Sequence, residues 1–315
     1  MNSEPKIVVI GGGTGLSVLL KGLKKYTSEL TAIVTVSDDG GSSGRLRAEL
    51  GVLPPGDIRN CLVALAETET LMDKVFQHRF RHESSLQGHN LGNLLLVALT
   101  EITGDFVSAI REVSRVLAVR GRVLPATLEH VTLGASMDDN SIIYGETAIR
   151  RYNSRIRQLF LTPECLPIPE TLQAITDADA IIIGPGSLYT SIIPNLLVNG
   201  VADAIARSNA VTFYISNIMT ELGETDGFDA ADHLRVIVEH IGQQLIDFVI
   251  VNTGAIDEPR LSRYREEQAI PVSSSRDEIG AMGIKVIEGD LVSDDRVAWH
   301  DSEKLAYMIM KTLHG

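Results

Sequence analysis

The sequence predicts an α/β protein: a single domain over 1–315 with a mostly parallel central sheet, a mainly helical segment over 57–119, and a short antiparallel insertion or set of edge strands over 121–162. Three observations predict it. Short, all-apolar, β-branched runs recur along the chain, as strands covered on both faces require. Stretches with apolar residues at three- and four-residue spacing separate them, and strand–helix–strand units with short crossovers pair their strands in parallel. Polar, glycine-rich turns follow the runs, at the carboxyl ends where open parallel sheets bind ligands.

Taken in order, Lys6–Ile10 is a strand that ends in Gly11-Gly12-Gly13-Thr14-Gly15, and Leu16–Leu23 continues with helical spacing. Thr31–Val36 is the second strand. Cys61–Leu71, Leu91–Thr100 and Phe106–Val116 have helical periodicity. Val123–Thr127, Val131–Ala135 and Ile142–Gly145 are short strands with a turn at Asp138-Asp139-Asn140, assigned together to the antiparallel insertion. Regular alternation returns with a helix at Leu172–Thr176 and buried strands at Ala180–Ile183, Val211–Ser216 and Phe248–Asn252. A weaker strand at Lys285–Ile287 and an amphipathic helix at Glu303–Leu313 complete it.

Of the 315 residues, 44% are hydrophobic and 22% charged, close to globular averages, which excludes disorder. A net charge of −13 argues against nucleic acid or an anionic membrane surface as partner. No apolar run reaches the ~18 residues of a membrane span, and no basic-then-apolar leader opens the chain. The expectation is a cytoplasmic protein without membrane insertion. Cys61 and Cys165 make no disulfide framework and read as small buried hydrophobes. Charge is uneven: residues 1–150 carry 15 basic and 17 acidic side chains, whereas 151–315 carry 13 and 24. An anionic ligand is therefore expected to place its phosphates on the N-terminal loops.

The first loop has the chemistry of a phosphate cradle. Gly11, Gly12, Gly13 and Gly15 let backbone amides approach an anion at a helix start, and Thr14 adds a hydroxyl. Leu16 breaks the dinucleotide fingerprint, and no Gly-Lys-Ser/Thr follows. A tight strand-to-helix turn without ligand is the alternative. After the second strand come Ser37, Asp38, Asp39, Gly40 and Ser42; either acid suits a ribose hydroxyl, a magnesium ion or a simple turn. Gly40–Gly44 also fits the G-x-S-x-G elbow, but the acids just upstream oppose a serine alkoxide. Asp57 is a candidate N-cap beside Asn60. Arg45, Arg47 and Arg59 are candidate phosphate forks. His89, Asn90 and Asn93 set two amides one helical turn apart, suited to a base or sugar edge or to capping. No zinc site is expected. Gly184, Gly186, Ser187 and Ser191, with Asn195, form a second strand-to-helix loop, and Asn217 follows the next strand.

Five of these segments resemble one family: Ile10–Ser17, Val36–Arg47, Pro54–Asn60, Gly88–Asn93 and Gly184–Ser191 are similar to the bacterial gluconeogenesis factors, within the 2-phospho-L-lactate transferase-like superfamily. The resemblance spans nearly the whole chain. It implies a Rossmann-like fold, a cytoplasmic location, and a role in morphogenesis and cell-wall supply during growth on gluconeogenic carbon. It implies a UDP-sugar ligand such as UDP-N-acetylglucosamine, with binding residues carried over to Thr14, Asn195 and Arg296. The transferase relatives use magnesium to move a phospholactyl group onto a deazaflavin precursor. This chain departs from them in its Asp-Asp-Gly-Gly-Ser-Ser-Gly run.

The leading expectation is a nucleotide-sugar-binding regulator. One alternative is a magnesium-dependent transferase using Asp38, Asp39 and Asp57 as catalytic acids, the first two also as metal ligands. Another is an NAD-type dinucleotide-binding protein. The expected partners are a small nucleotide ligand and a second copy of the chain in a homo-oligomer.

Overall fold

The computed structural model describes residues 4–67 and 71–314. Seven parallel strands form the central sheet: β1 (Ile7–Gly11), β2 (Leu30–Val34), β3 (Arg122–Pro125), β7 (Ala180–Ile183), β8 (Val211–Ile215), β9 (Phe248–Asn252) and β10 (Lys285–Gly289). Their order is β10-β9-β8-β7-β1-β2-β3. The chain thus builds outward from β1 in one direction, then returns to β7 on its other side and builds the opposite way. The reversal between β1 and β7 is the topological switch point, where the flanking loops splay apart and leave a crevice.

The sequence explains the register. Ile10 lies opposite Ile33 of β2 and Ile183 of β7, and all three are buried. Helices cover both faces. Helix α1 (Gly13–Leu23) buries Leu16, Leu19, Leu20 and Leu23, each worth about 1.5–3 kcal/mol in transfer. It packs on the helix Gly56–Leu65 and on the C-terminal helix Ser302–His314. At the second contact a Cβ on Gly22 would lie 1.9 Å from the Ser302 carbonyl oxygen, so only glycine allows this approach. Helices α2 (Gly41–Leu50), α3 (Gly56–Leu65), α4 (Leu71–Gln77), α5 (Leu91–Thr103) and α6 (Phe106–Val116) occupy the segment between β2 and β3.

Three differences from the sequence reading matter. The run at Val123–Thr127 is not part of the antiparallel insertion; as β3 it pairs in parallel with β2, Leu124 opposite Ile33. The long helical segment before it is simply an oversized crossover. The antiparallel sheet is β5-β4-β6, with β4 at Thr132–Met137, β5 at Ile142–Tyr144 and the unread β6 at Ile156–Thr162. Lastly, α2 begins inside the Gly40–Gly44 run, whose composition disguises a helix. Gly44 is required there, since a Cβ would sit 1.9 Å from the Asp39 carbonyl. Of the helix expected at Cys61–Leu71, residues 68–70 lie outside the described residues. Both cysteines are free and buried. Among the described residues no single helix is long and apolar enough to cross a membrane.

Candidate functional site

A cleft of about 500 Å³ opens at the switch point. Its floor is the first glycine loop: Gly12, Gly13, Thr14 and Gly15 line it at the start of α1. Gly13 has φ +66°, a left-handed turn that feeds the helix. The second loop lies against the first. A Cβ on Gly15 would come within 2.8 Å of the Pro185 carbonyl oxygen, and one on Gly12 within 2.7 Å of an Asp57 carboxylate oxygen. Side-chain-free residues are therefore needed for packing as well as for ligand approach.

Two polar groups hold this floor from behind. The Gly13 amide donates to Asp57 Oδ2 at 2.7 Å. Burial pushes the Asp57 carboxyl up to about 6, against the lowering effect of that hydrogen bond. Asn195 is fully buried. Its Nδ2 donates to the carbonyls of Gly11 (3.1 Å) and Ser191 (2.7 Å), which ties the two loops together. Asn195 thus positions the loops and does not line the cleft.

The remaining walls come from the second half of the chain and from one insertion residue. Ser187 donates to Glu221 Oε2 at 2.6 Å and Asn217 Nδ2 to Glu221 Oε1 at 3.1 Å. Arg150, in helix α7 (Glu146–Arg151), approaches Glu221 at 3.9 Å and Glu224 at 3.1 Å. Burial and the nearby Glu221 raise the Glu224 carboxyl, while Arg150 opposes them. Arg150 is the one permanent cation among the residues lining the cleft. Tyr264, Ala298, Trp299 and His300 supply an aromatic and apolar wall. Sequence reading missed Arg150, Tyr264, Trp299 and His300. Trp299 had one available signal, being the chain's single tryptophan.

The structure divides the sequence-predicted residues. Gly12–Gly15, Gly186, Ser187, Ser191 and Asn217 line the cleft. Gly11 closes β1 behind it, and Gly184 lies against the Ile215 carbonyl. A separate network gathers the others around α2, α3 and α5. Ser42 Oγ and His89 Nδ1 are 3.2 Å apart. The Asn90 amide (3.2 Å) and Asn93 Nδ2 (3.3 Å) both donate to Ser42 Oγ. Arg59, buried, donates to the side-chain oxygens of Asn93 and Asn60. Burial and Arg79 lower its pKa to about 10. Arg45 donates to the Gln87 carbonyl, and Arg47 to those of Ser37 and Val131. Ser37 shares a hydrogen bond with Thr35. Arg296 is exposed and outside the cleft lining.

The acids form a third group. Asp38 Oδ1 accepts from the Gly40 amide at 2.8 Å, and Asp39 Oδ1 from both the amide and the hydroxyl of Thr147. Glu146 stands beside them. Burial, with Asp38, Glu224, Asp57 and Asp39 nearby, pushes its carboxyl up to about 9. Asp38 and Asp39 thus have separate partners. Among the described residues no group of three or more His, Cys, Asp and Glu side chains is arranged to hold a metal. His78 and His82 do have H-x-x-x-H spacing, but both follow the end of α4, so no helix face aligns them.

An open parallel sheet, a switch-point crevice and a glycine loop at a helix start define a Rossmann-like α/β protein. Residues 7–292 match the family model described as 2-phospho-L-lactate transferase CofD. The chain is 50% identical over 315 residues to the gluconeogenesis factor of Bacillus subtilis (strain 168), covering 99% of both. It is 49% identical to that of Halalkalibacterium halodurans, covering 98% of this chain and 96% of the relative. A crystal structure from Bacillus halodurans superimposes with a TM-score of 0.95 at 48% identity, covering 98% of this chain and all of that one. The chain belongs to the bacterial gluconeogenesis factor family, with its CofD-type domain.

Proposed function

We propose that this protein binds a nucleotide sugar of the UDP-N-acetylglucosamine type. Through it the protein acts in the cytoplasm as a regulator of cell shape and cell-wall supply during gluconeogenic growth. The observation that carries the binding step is the cleft itself. The glycine loop at the start of α1 and Arg150 line one open volume with an aromatic wall. The diphosphate lies on Gly12–Gly15, where the helix dipole and backbone donors favour an anion. Arg150 belongs to the nearly neutral N-terminal half, in keeping with the uneven charge. Ser187 and Ser191 contribute neutral contacts. Calorimetric titration with UDP-N-acetylglucosamine tests this reading. Binding below millimolar supports it, and no heat at millimolar ligand overturns it.

A second reading, transfer of a phosphate-linked group, is favoured by the family model and by the acids Asp38, Asp39 and Asp57. Their separate engagements do not make a magnesium site. Its mark would be a new phosphodiester by mass spectrometry after incubation with candidate donors.

A further inference from the structure

A second groove, of about 580 Å³, is lined by Lys74, His78, Arg79, Arg81 and His82 together with the half-buried Phe80. It lies where the chain leaves α4 and turns back toward α5, and it shares no lining residue with the switch-point cleft. Residues 74–82 hold three permanent cations and two histidines and no acid, in a chain of 41 acidic and 28 basic side chains. The flanking acids Asp73 and Glu83 are not in the lining. Among the described residues Lys74, Arg79 and Arg81 form no ion pair, whereas Arg150 of the cleft is paired with Glu224.

The segment that carries these cations is ordered by its own hydrogen bonds. The Phe80 amide donates to the His89 carbonyl at 3.0 Å, and the Gly88 amide to the Phe80 carbonyl at 2.8 Å. Arg79 Nη1 donates to the Gly88 carbonyl at 2.6 Å, and Arg45 Nη2 reaches the adjacent Gln87 carbonyl from α2 at 2.8 Å. The rings of His78 and Phe80 meet edge to face, their centres 5.1 Å apart. Donors held in place lose less conformational freedom when a ligand arrives. The like charges also act on their neighbours. Burial and then Arg79 lower the Arg59 guanidinium, and burial, Arg45 and Arg79 lower the His89 imidazole. An anion in the groove would relieve that repulsion.

We propose that this groove is an anion site separate from the cleft, and that it takes a ligand with two or more adjacent phosphate groups. Guanidinium forks match phosphate oxygens in pairs, and Lys74 adds a point charge. Closely spaced cations suit closely spaced anions. Adjacent phosphates share one bridging oxygen, whereas an extended acidic peptide turns only alternate carboxylates to one side, about 6.6 Å apart. A nucleic acid would meet the net charge of −13 carried by the rest of the chain. Because the two sites have no residue in common, the groove does not depend on what the cleft binds.

The test is calorimetric titration of the full chain with sodium tripolyphosphate, orthophosphate, hexaglutamate and a short single-stranded RNA at one ionic strength. It is repeated on Lys74→Gln/Arg81→Gln, on Arg81→Gln alone, and on Gly15→Ala as a cleft variant. Lys74 and Arg81 are both exposed, so their replacement leaves the core untouched. Wild type is expected to bind tripolyphosphate at least about ten-fold tighter than orthophosphate or hexaglutamate. The double variant is expected to lose about ten-fold or more for tripolyphosphate and Arg81→Gln about three-fold, while Gly15→Ala stays within about three-fold of wild type. Absence of heat with millimolar tripolyphosphate overturns the proposal, as does unchanged affinity in both groove variants. Loss in Gly15→Ala alone would place the anion in the cleft and overturn it too. Hexaglutamate or RNA binding as tightly as tripolyphosphate, with the same loss in the double variant, would make the groove a docking surface for a macromolecule instead.

Discussion

The cleft and the network around Ser42 are both built from small polar residues next to glycine-rich turns, yet they are opposites in one respect. In the network the side chains satisfy one another: Arg59 gives two nitrogens to Asn93 and Asn60, while Asn93 and Asn90 converge on Ser42. Only Arg59 Nε is left over there. In the cleft the side chains are paired as well, Ser187 and Asn217 with Glu221 and Arg150 with Glu224, but they line an open volume. Matched polar groups closed off from any cavity hold a structure together, whereas matched groups that line a cavity can exchange a partner for a ligand. Residue type does not distinguish the two cases; topology does, because only the loops at the switch point are splayed apart.

The largest test of this contrast is Gly15→Ala. Its Cβ would meet the Pro185 carbonyl oxygen at 2.8 Å and force the two loops apart. Affinity for UDP-N-acetylglucosamine is expected to fall roughly 100-fold, about 2.7 kcal/mol, and the melting temperature to fall with it, because the same clash strains the packing of the two loops. Calorimetry and thermal unfolding on one preparation check both. An affinity within three-fold of wild type would move the ligand away from the first loop.

Asn93→Ala is expected to lose stability without losing affinity. It takes the acceptor from the buried Arg59 Nη1 and a donor from Ser42. Losing one partner of a buried charged hydrogen bond costs about 2–3 kcal/mol of folding stability. Urea unfolding should show that loss while nucleotide affinity stays within about three-fold. A variant of wild-type stability with weakened binding would join the two regions into one site.

Much of the fold was legible in the sequence because its strands are apolar on both faces. The runs at Ala180–Ile183 and Phe248–Asn252 coincide with β7 and β9. The Val123 run was assigned to the wrong sheet because local pattern carries no information about partners, and the helices between it and β2 hid the crossover. Helix α2 is hard to read because of its glycines, one of which, Gly44, is needed for close approach to Asp39, a tertiary reason that overrides propensity. In the site, the glycine loops showed themselves by composition. Arg150 and His300 did not, since they lie about 135 and 285 residues beyond the first loop and reach the cleft only through the folded topology.

The smallest expected effect concerns Glu146, which has Asp38, Glu224, Asp57 and Asp39 nearby. Its carboxyl titrates near 4.5 as an isolated group and at about 9 in the fold, chiefly through burial. Between those values the folded chain holds a proton that the unfolded chain has released. Folding stability is therefore lost as pH rises through this window, and is free of the penalty below it. Glu146→Gln removes the titration and keeps the shape. The variant is expected to be about 1–2 kcal/mol more stable than wild type near pH 8, and about equal near pH 5. Urea unfolding at several values across that range would show a flatter profile for the variant. Parallel profiles would take this titration away from Glu146. If the proposed diphosphate lies on the first loop, nucleotide affinity should strengthen as pH falls through about 6, where Asp57 behind that loop becomes neutral.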